Sequence, residues 1–425
     1  MAIAQMSRIA AFGVCVAMFL ASRVALAQSP FPAVFVANDG NLEGSVSSFR
    51  ILDNGAVSFV GELNTTTNAY SIALSPNGRY LAVTHATAAT IETITMLQIA
   101  ADATLSLVGT FPTPDSPLDC RWLRDDLLAV TLTNISLANK VILYRFTAST
   151  PSLVELHRYD TGSFNSYLAV HPNGQTLYTQ DSTAGQVYAW HINSDDTLTQ
   201  IDQESTAPAY ALWMEPTHDG SKLYVAGGAS SGDEKINGFH IAADGTLTPM
   251  AANPIVVSNS SPKVLAVSGD DAYLLVGYAR RTEVRSYAID PVTGALDATG
   301  NLFSFAGIQG DLGSIGAARN LAFAVDRYTS SNGLRGLFAL TVGADGSLAQ
   351  NGSLVDTQGV TPDRLVIWDP PPACPDLNGD HRTDESDLGL LLQSWQAGPG
   401  GDLNGDGQTN ESDLGLLLQG WQCGV

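Results

Sequence analysis

The sequence predicts an all-β protein, a seven-bladed β-propeller, that ends in a small α-helical calcium-binding module. Three observations predict it: a turn-then-strand pattern recurring seven times, a strand–turn–strand pattern in phase with it, and a tandem acidic repeat at the end of the chain.

The first element, residues 1–27, reads as an export signal. Arg8 gives a positive start, Ile9 to Ala21 is apolar, and Ala25-Leu26-Ala27 is an A-x-A cleavage pattern. The mature chain is expected to start at Gln28 and to be secreted: extracellular, periplasmic or at the cell surface. The apolar run is too short for a bilayer and no later stretch reaches the ~20 residues of a span, so the mature chain is expected to have no transmembrane segment. A net charge of −22, from 42 acidic against 20 basic residues, speaks against a nucleic-acid partner. Export permits disulfides. Cys374 and Cys423 flank the C-terminal repeats and are expected to pair, leaving Cys120 as a free, buried, small apolar residue.

The repeats occupy residues 28–369. A turn followed by an apolar residue opening a strand ends at Val57, Leu105, Leu153, Leu198, Leu247, Leu296 and Leu348, spaced 48, 48, 45, 49, 49 and 52 apart. In phase with it, Tyr70 to Leu74 leads through Ser75-Pro76-Asn77-Gly78 into Tyr80 to Val83. Tyr167 to Val170 leads through His171-Pro172-Asn173-Gly174 into Thr176 to Thr179. Each period thus holds about four short strands, the unit of a propeller blade. The first unit lacks its strand–turn copy, and Pro362 to Trp368 supplies one at the other end, so the C-terminal strand is expected to complete the first blade and remove an exposed edge.

These turns, and segments such as Tyr287 to Leu296, resemble the seven-bladed lactonase family, the 6-phosphogluconolactonase and carboxymuconate-lactonizing group, over about residues 33 to 369. The resemblance implies a lactone hydrolase, with Arg280, in Tyr278-Ala279-Arg280-Arg281-Thr282, at the place of the family's catalytic arginine. The family's Arg-His pair is missing from Pro208 to Leu212, and Gly227-Gly228 stand where a glutamate is expected. Lactone opening needs a base and a cation for the oxyanion; Arg280 could be the cation, and no residue stands out as the base. Side chains near the start of each inner strand line a propeller's channel. Here they are expected to be Tyr70, Asp119, Tyr167, Tyr210, Lys263 and Arg364, an aromatic and partly charged set suited to a small polar ligand such as a sugar acid.

Pro370 opens a stiff linker, residues 370–373. In the module, residues 374–425, Asp376 to Gln396 and Asp402 to Gln422 agree at 17 of 21 positions. The first copy places Asp376, Asn378, Asp380, Asp384 and Asp387 at loop positions 1, 3, 5, 9 and 12; the second places Asp402, Asn404, Asp406, Asn410 and Asp413 there. Alternate oxygens point inward in such a loop, and the carbonyls of Arg382 and Gln408 complete two Ca2+ sites. The first loop carries His381 where the second has Gly407, which predicts weaker calcium binding in the first. After each loop one helix is expected, with Leu388, Leu391, Leu392 and Trp395, or Leu414, Leu417, Leu418 and Trp421, forming an inward stripe. The paired loop–helix units resemble dockerins, which implies a cohesin-type or other cell-surface partner, with Leu390 and Leu416 on the opposite face as its contacts.

The expected function is that of an exported propeller that binds a small polar ligand or partner and is tethered by its calcium module. The alternatives are a lactonase-family hydrolase and a structural or surface-display protein without a small-molecule site.

Overall fold

In a computed structural model the chain closes into seven sheets arranged as seven blades. The structure describes residues 31–40, 44–86, 92–132, 140–162, 165–206, 211–227, 235–257, 261–278, 281, 283–305, 312–327, 336–370, 375, 377–378, 382–396, 399–403, 408–419 and 421. Every strand pairing within a blade is antiparallel, as hairpin connections require: the first and last blades, for example, pair Ala33–Asp39 with Gly44–Ile51 and Leu321–Asp326 with Gly336–Val342.

The recurrent turn opens the outermost strand of every blade, from Val57–Thr65 in the first to Leu348–Gln350 in the last. Its chemistry explains its wording. In Asp102-Ala103-Thr104 the Asp102 carboxylate accepts from the Thr104 amide at 3.0 Å and from its hydroxyl at 2.6 Å, while Ala103 sits at φ +63°. Asp244-Gly245-Thr246 repeats the geometry with a glycine, better suited to that left-handed position, at φ +89°.

The inner strands are Ala69–Leu74, Pro117–Arg124, Asn165–Val170, Ala211–Pro216, Pro262–Val267, Leu312–Ala318 and Pro362–Trp368. The last of these pairs with Ala33–Asp39, from Ala33 opposite Trp368 to Ala37 opposite Arg364, so the C-terminal strand closes blade 1 as expected. Trp368 is buried against Phe35, ring centroids 6.3 Å apart. The turn glycine Gly78 of blade 2, at φ +67°, lies so close that a Cβ there would meet the indole Nε1 at 2.4 Å. Trp368→Ala is therefore expected to cost about 3–5 kcal/mol, the range for a buried aromatic, because it also loosens the strand that closes the ring. A chemical-denaturation midpoint unchanged from wild type would refute this.

Between blades the core is continuous. Ile94 and Met96 of blade 2, for instance, pack on Cys120, Trp122 and Val130 of blade 3. Cys120 is buried and free, and burial pushes its thiol far above the ordinary range, so it is an inert packing group. Cys374 and Cys423 lie outside the described residues. Tyrosines bracket neighbouring blades: the Tyr178, Tyr224 and Tyr273 hydroxyls donate to Gly245 O, Gly294 O and Ala344 O of the next outer turn, at 3.1, 2.8 and 2.7 Å.

One irregularity recurs in all seven blades. Each inner strand breaks register with its partner close to its first residues, and the residues left out of the ladder include Tyr70, Asp119, Tyr167, Leu212, Lys263, Ser314 and Asp363. A β-bulge of this kind re-aims a side chain without ending the strand.

The C-terminal module holds two helices, α1 (Glu385–Gln393) and α2 (Glu411–Gln419). Among the described residues no helix is long and apolar enough to cross a membrane.

Candidate functional site

The inner strands begin at one end of the ring and finish at the other. Hydrogen bonds join starts to starts, as in Ser71 Oγ to Asp119 Oδ1 at 2.6 Å, and ends to ends, as in the Gly269 amide to Arg319 O at 3.1 Å. At the starting end the bulges bring together most of the residues that the sequence placed in the channel. The Tyr70 and Tyr167 hydroxyls meet across the ring at 3.3 Å. The Tyr167 hydroxyl, then burial, push the Tyr70 phenol well above its ordinary value, so it stays neutral.

Arg364 runs into this layer from blade 1. Its guanidinium carbon lies 4.4 Å from the Trp213 ring centroid, 4.8 Å from that of Tyr167 and 5.7 Å from that of Tyr70. It is only 6% exposed, and its Nη1 has no hydrogen-bond partner among the described residues. Aromatic faces stabilise a cation by about 0.5–2 kcal/mol but supply no acceptors, so a buried guanidinium held this way keeps a donor in reserve.

Asp119 is a joint between blades. Besides Ser71 it accepts from Arg121 Nη1 at 2.8 Å and from the Leu168 amide at 2.9 Å, tying blades 2, 3 and 4. Lys263 reaches Leu312 O at 2.7 Å and acts as a similar brace between blades 6 and 7. Beside the mouth, Arg327 bridges Asp39 at 3.1 Å and Asp363 at 3.3 Å. Burial and the Asp363 charge push Asp39 up to about 6 against the pull of Arg327. Tyr210 and Arg280 lie outside the described residues.

Beyond the aromatic layer, toward the ends of the inner strands, is a cavity of ≈ 390 Å³. Apolar walls such as Leu74, Val170 and Ala317 surround three charged groups: Arg364 and the two residues that sequence reasoning missed, Arg121 and Glu215. Glu215 is half-buried and lines the cavity. The Trp213 indole donates to its Oε2 at 3.0 Å. Burial pushes the Glu215 carboxyl up to about 7; the Trp213 hydrogen bond and the charge of Arg121 oppose the shift and do not cancel it. Arg121 cannot cancel it because Asp119 already neutralises it at 2.8 Å. The cavity therefore combines a caged cation, a half-exposed guanidinium and a carboxyl poised to gain or lose a proton near neutrality. Such a constellation binds oxyanions and supports proton transfer.

In the C-terminal module Asp387 and Asp413 are fully buried. Asp387 accepts from the Leu377, Asn378 and Asp384 amides at 2.7, 3.2 and 2.9 Å. Asp413 accepts from the Leu403 and Asn410 amides at 2.7 and 2.8 Å. Each carboxylate thus folds its loop back onto its helix. Asp384 and Asn410 cap α1 and α2 by accepting from the Ser386 and Ser412 amides, both at 2.8 Å. Asn378, Arg382, Asp402 and Gln408 are among the described residues; Asp376, Asp380, His381, Asn404, Asp406 and Gly407 lie outside them.

The helix faces differ from expectation. Leu391 and Leu417 are fully buried, but Leu392 and Leu418 are 52% and 53% exposed and do not belong to the inward stripe. Leu416 is 37% exposed and Leu390 is half-buried. A helix nine residues long against one neighbour hides a narrower arc than an i, i+3, i+4, i+7 stripe covers.

Residues 127–227 match the family model described as "Lactonase, 7-bladed beta-propeller". Among solved structures the chain is similar to a putative 6-phosphogluconolactonase from Bacteroides fragilis, with TM-score 0.65, 14% identity, and 80% of this chain and 98% of that one covered. The periplasmic gluconolactonase of Pseudomonas aeruginosa gives 0.63 and 16%, with 80% and 100% covered. A hypothetical selenium-binding protein from Sulfolobus tokodaii gives 0.59 and 11%, with 80% and 94% covered. No curated protein sequence matches. At these identities the likeness establishes the fold alone.

Proposed function

We propose that this protein is an exported propeller that binds a small organic anion, of the size and polarity of a sugar acid, in the cavity beneath the Arg364 layer. The observation that carries the reading is Arg364 itself: a cation buried among three rings, with Nη1 left unpartnered among the described residues, at the wall of a ≈ 390 Å³ cavity. Its charge, at that wall, would draw an anion into the cavity. Calorimetric titration with gluconate, galacturonate and citrate tests it, with Arg121→Gln weakening the tightest of them roughly tenfold. Absence of binding by all three, with the protein folded, would remove the reading.

The C-terminal module is read as dockerin-like. It would hold two structural calcium ions and tether the propeller to a cohesin-type partner. The buried loop carboxylates Asp387 and Asp413 support this part. Binding of an immobilised cohesin domain in calcium, lost on chelation, is the expected result.

A second reading, lactone hydrolysis, is favoured by Glu215, which lies within the stretch matching the lactonase model. Glu215 would take a proton from the attacking water while Arg121 holds the carbonyl oxygen; the ring C–O bond then breaks and the leaving oxygen recovers the proton. Glu215→Gln is expected to slow opening of glucono-δ-lactone about 100-fold. Turnover by wild type no faster than buffer excludes this reading and leaves the first intact.

A further inference from the structure

The cavity holds a carboxyl that anion binding alone does not call for. A purely attractive site would surround its anion with cations, whereas here Glu215 lines the same cavity as Arg121 and Arg364. The groups that face it are few. Its own strand gives the Trp213 indole, and the following turn gives His218, whose Nδ1 is held 2.8 Å from Asp271. Blade 3 gives Arg121 and blade 1 gives Arg364. Blade 6 gives the Val267 backbone. Blade 2 offers only the Ser71 hydroxyl, already committed to Asp119, and the lining segments of blades 4 and 7, Leu168–Val170 and Ile315–Ala317, contain nothing ionisable.

Arg121 uses Nη1 for Asp119 and for Cys120 O, at 2.8 and 2.7 Å, which leaves Nε and Nη2 for a ligand. A carboxylate pairing with that edge comes to lie inside the cavity that Glu215 also faces. Two carboxyl groups confined together cannot both ionise without a large repulsion, so one proton is shared between them.

We propose that the cavity takes up a small carboxylate together with one proton, Arg121 pairing with the ligand's carboxylate and the Glu215 carboxylic acid donating a hydrogen bond to it. The inference rests on the anion-binding reading above and adds the protonation state that binding requires. Burial already brings Glu215 to about 7 in the empty cavity, and a bound anion raises it further. The sign follows from linkage: below about 7 the proton is in place and affinity is flat; above it, each pH unit weakens binding about tenfold until the bound-state value is reached.

Gluconate is the probe, titrated calorimetrically into the full calcium-loaded chain from pH 5.5 to 8.5, with pH 8 repeated in two buffers of different ionisation enthalpy. The expected result is about fivefold weaker binding at pH 8 than at pH 7, with close to one proton taken up per gluconate at pH 8. Glu215→Gln, isosteric and neutral, should bind equally at pH 6 and 8 with no proton uptake, while His218→Gln should keep the wild-type slope. Gluconate binding that is flat in pH with no proton taken up overturns the proton coupling and leaves the anion site standing, as does a Gln variant that retains the slope. Gluconate that binds at no pH overturns both.

Discussion

Arg364→Met is expected to abolish most gluconate binding while leaving the ring as stable as before or more so. The physical reason is the asymmetry of the Arg364 environment. Its guanidinium has lost water and gained three aromatic faces but no acceptor at Nη1. An unsatisfied buried polar group costs about 1–3 kcal/mol, and a methionine of similar length can fill the same space between the rings. The acids whose charge Arg364 feels keep other partners, Asp119 in Ser71, Arg121 and the Leu168 amide, and Asp363 in Arg327. The variant should therefore unfold at a midpoint equal to or above that of wild type, with a gain of up to about 2 kcal/mol. A charged hydrogen bond to ligand is worth about 1.5–3 kcal/mol, so affinity should fall roughly 10- to 100-fold. Loss of stability with affinity unchanged would show that Arg364 is a structural brace.

Asp387→Ala and Asp413→Ala should each unfold the C-terminal module without touching the propeller. Among the described residues the first removes the acceptor of three backbone amides and the second that of at least two, and both side chains are fully buried. Each orphaned amide costs about 1–3 kcal/mol, which together exceeds what two helices of nine residues can absorb. Trp395 and Trp421 sit at the ends of the two helices and report the transition by fluorescence. A module that melts at the wild-type temperature in both variants would contradict the role given to these carboxylates.

Much of the architecture was legible because a blade is a local object. Its turn chemistry, such as Asp-x-Thr with a left-handed middle residue, is written within four residues and recurs at a near-constant period. Closure was legible from the strand–turn copy missing at one end and present at the other. The channel mouth was legible in part: Tyr70, Asp119, Tyr167 and Lys263 fall at bulges, where position along the strand predicts direction. In blade 5 the same counting chose Tyr210, and Trp213 is the residue that joins the aromatic layer. Glu215 was not legible. It lies near the end of an inner strand, and its meaning depends on Arg121 of blade 3 and the Val267 backbone of blade 6, which only ring closure brings near. The helix stripe was overread because periodicity marks apolar positions without saying how wide a neighbour will cover them.

The seven bulges set the terms on which such a ring can change its ligand. A residue in a ladder is tied to its cross-strand partner, and altering it disturbs the blade. A residue set aside by a bulge is released from that tie, and the amides around it are caught by side chains instead: Asp119 N by Thr131, Leu168 N by Asp119, Leu365 N by Ser314, each at 2.9 Å. Some bulge residues, Asp119, Lys263 and Ser314 among them, are spent on joining blades, and the others, such as Tyr70 and Tyr167, are the letters of the mouth that can change on that frame. Drift at those letters can reshape the entrance to the cavity while every blade stays in place.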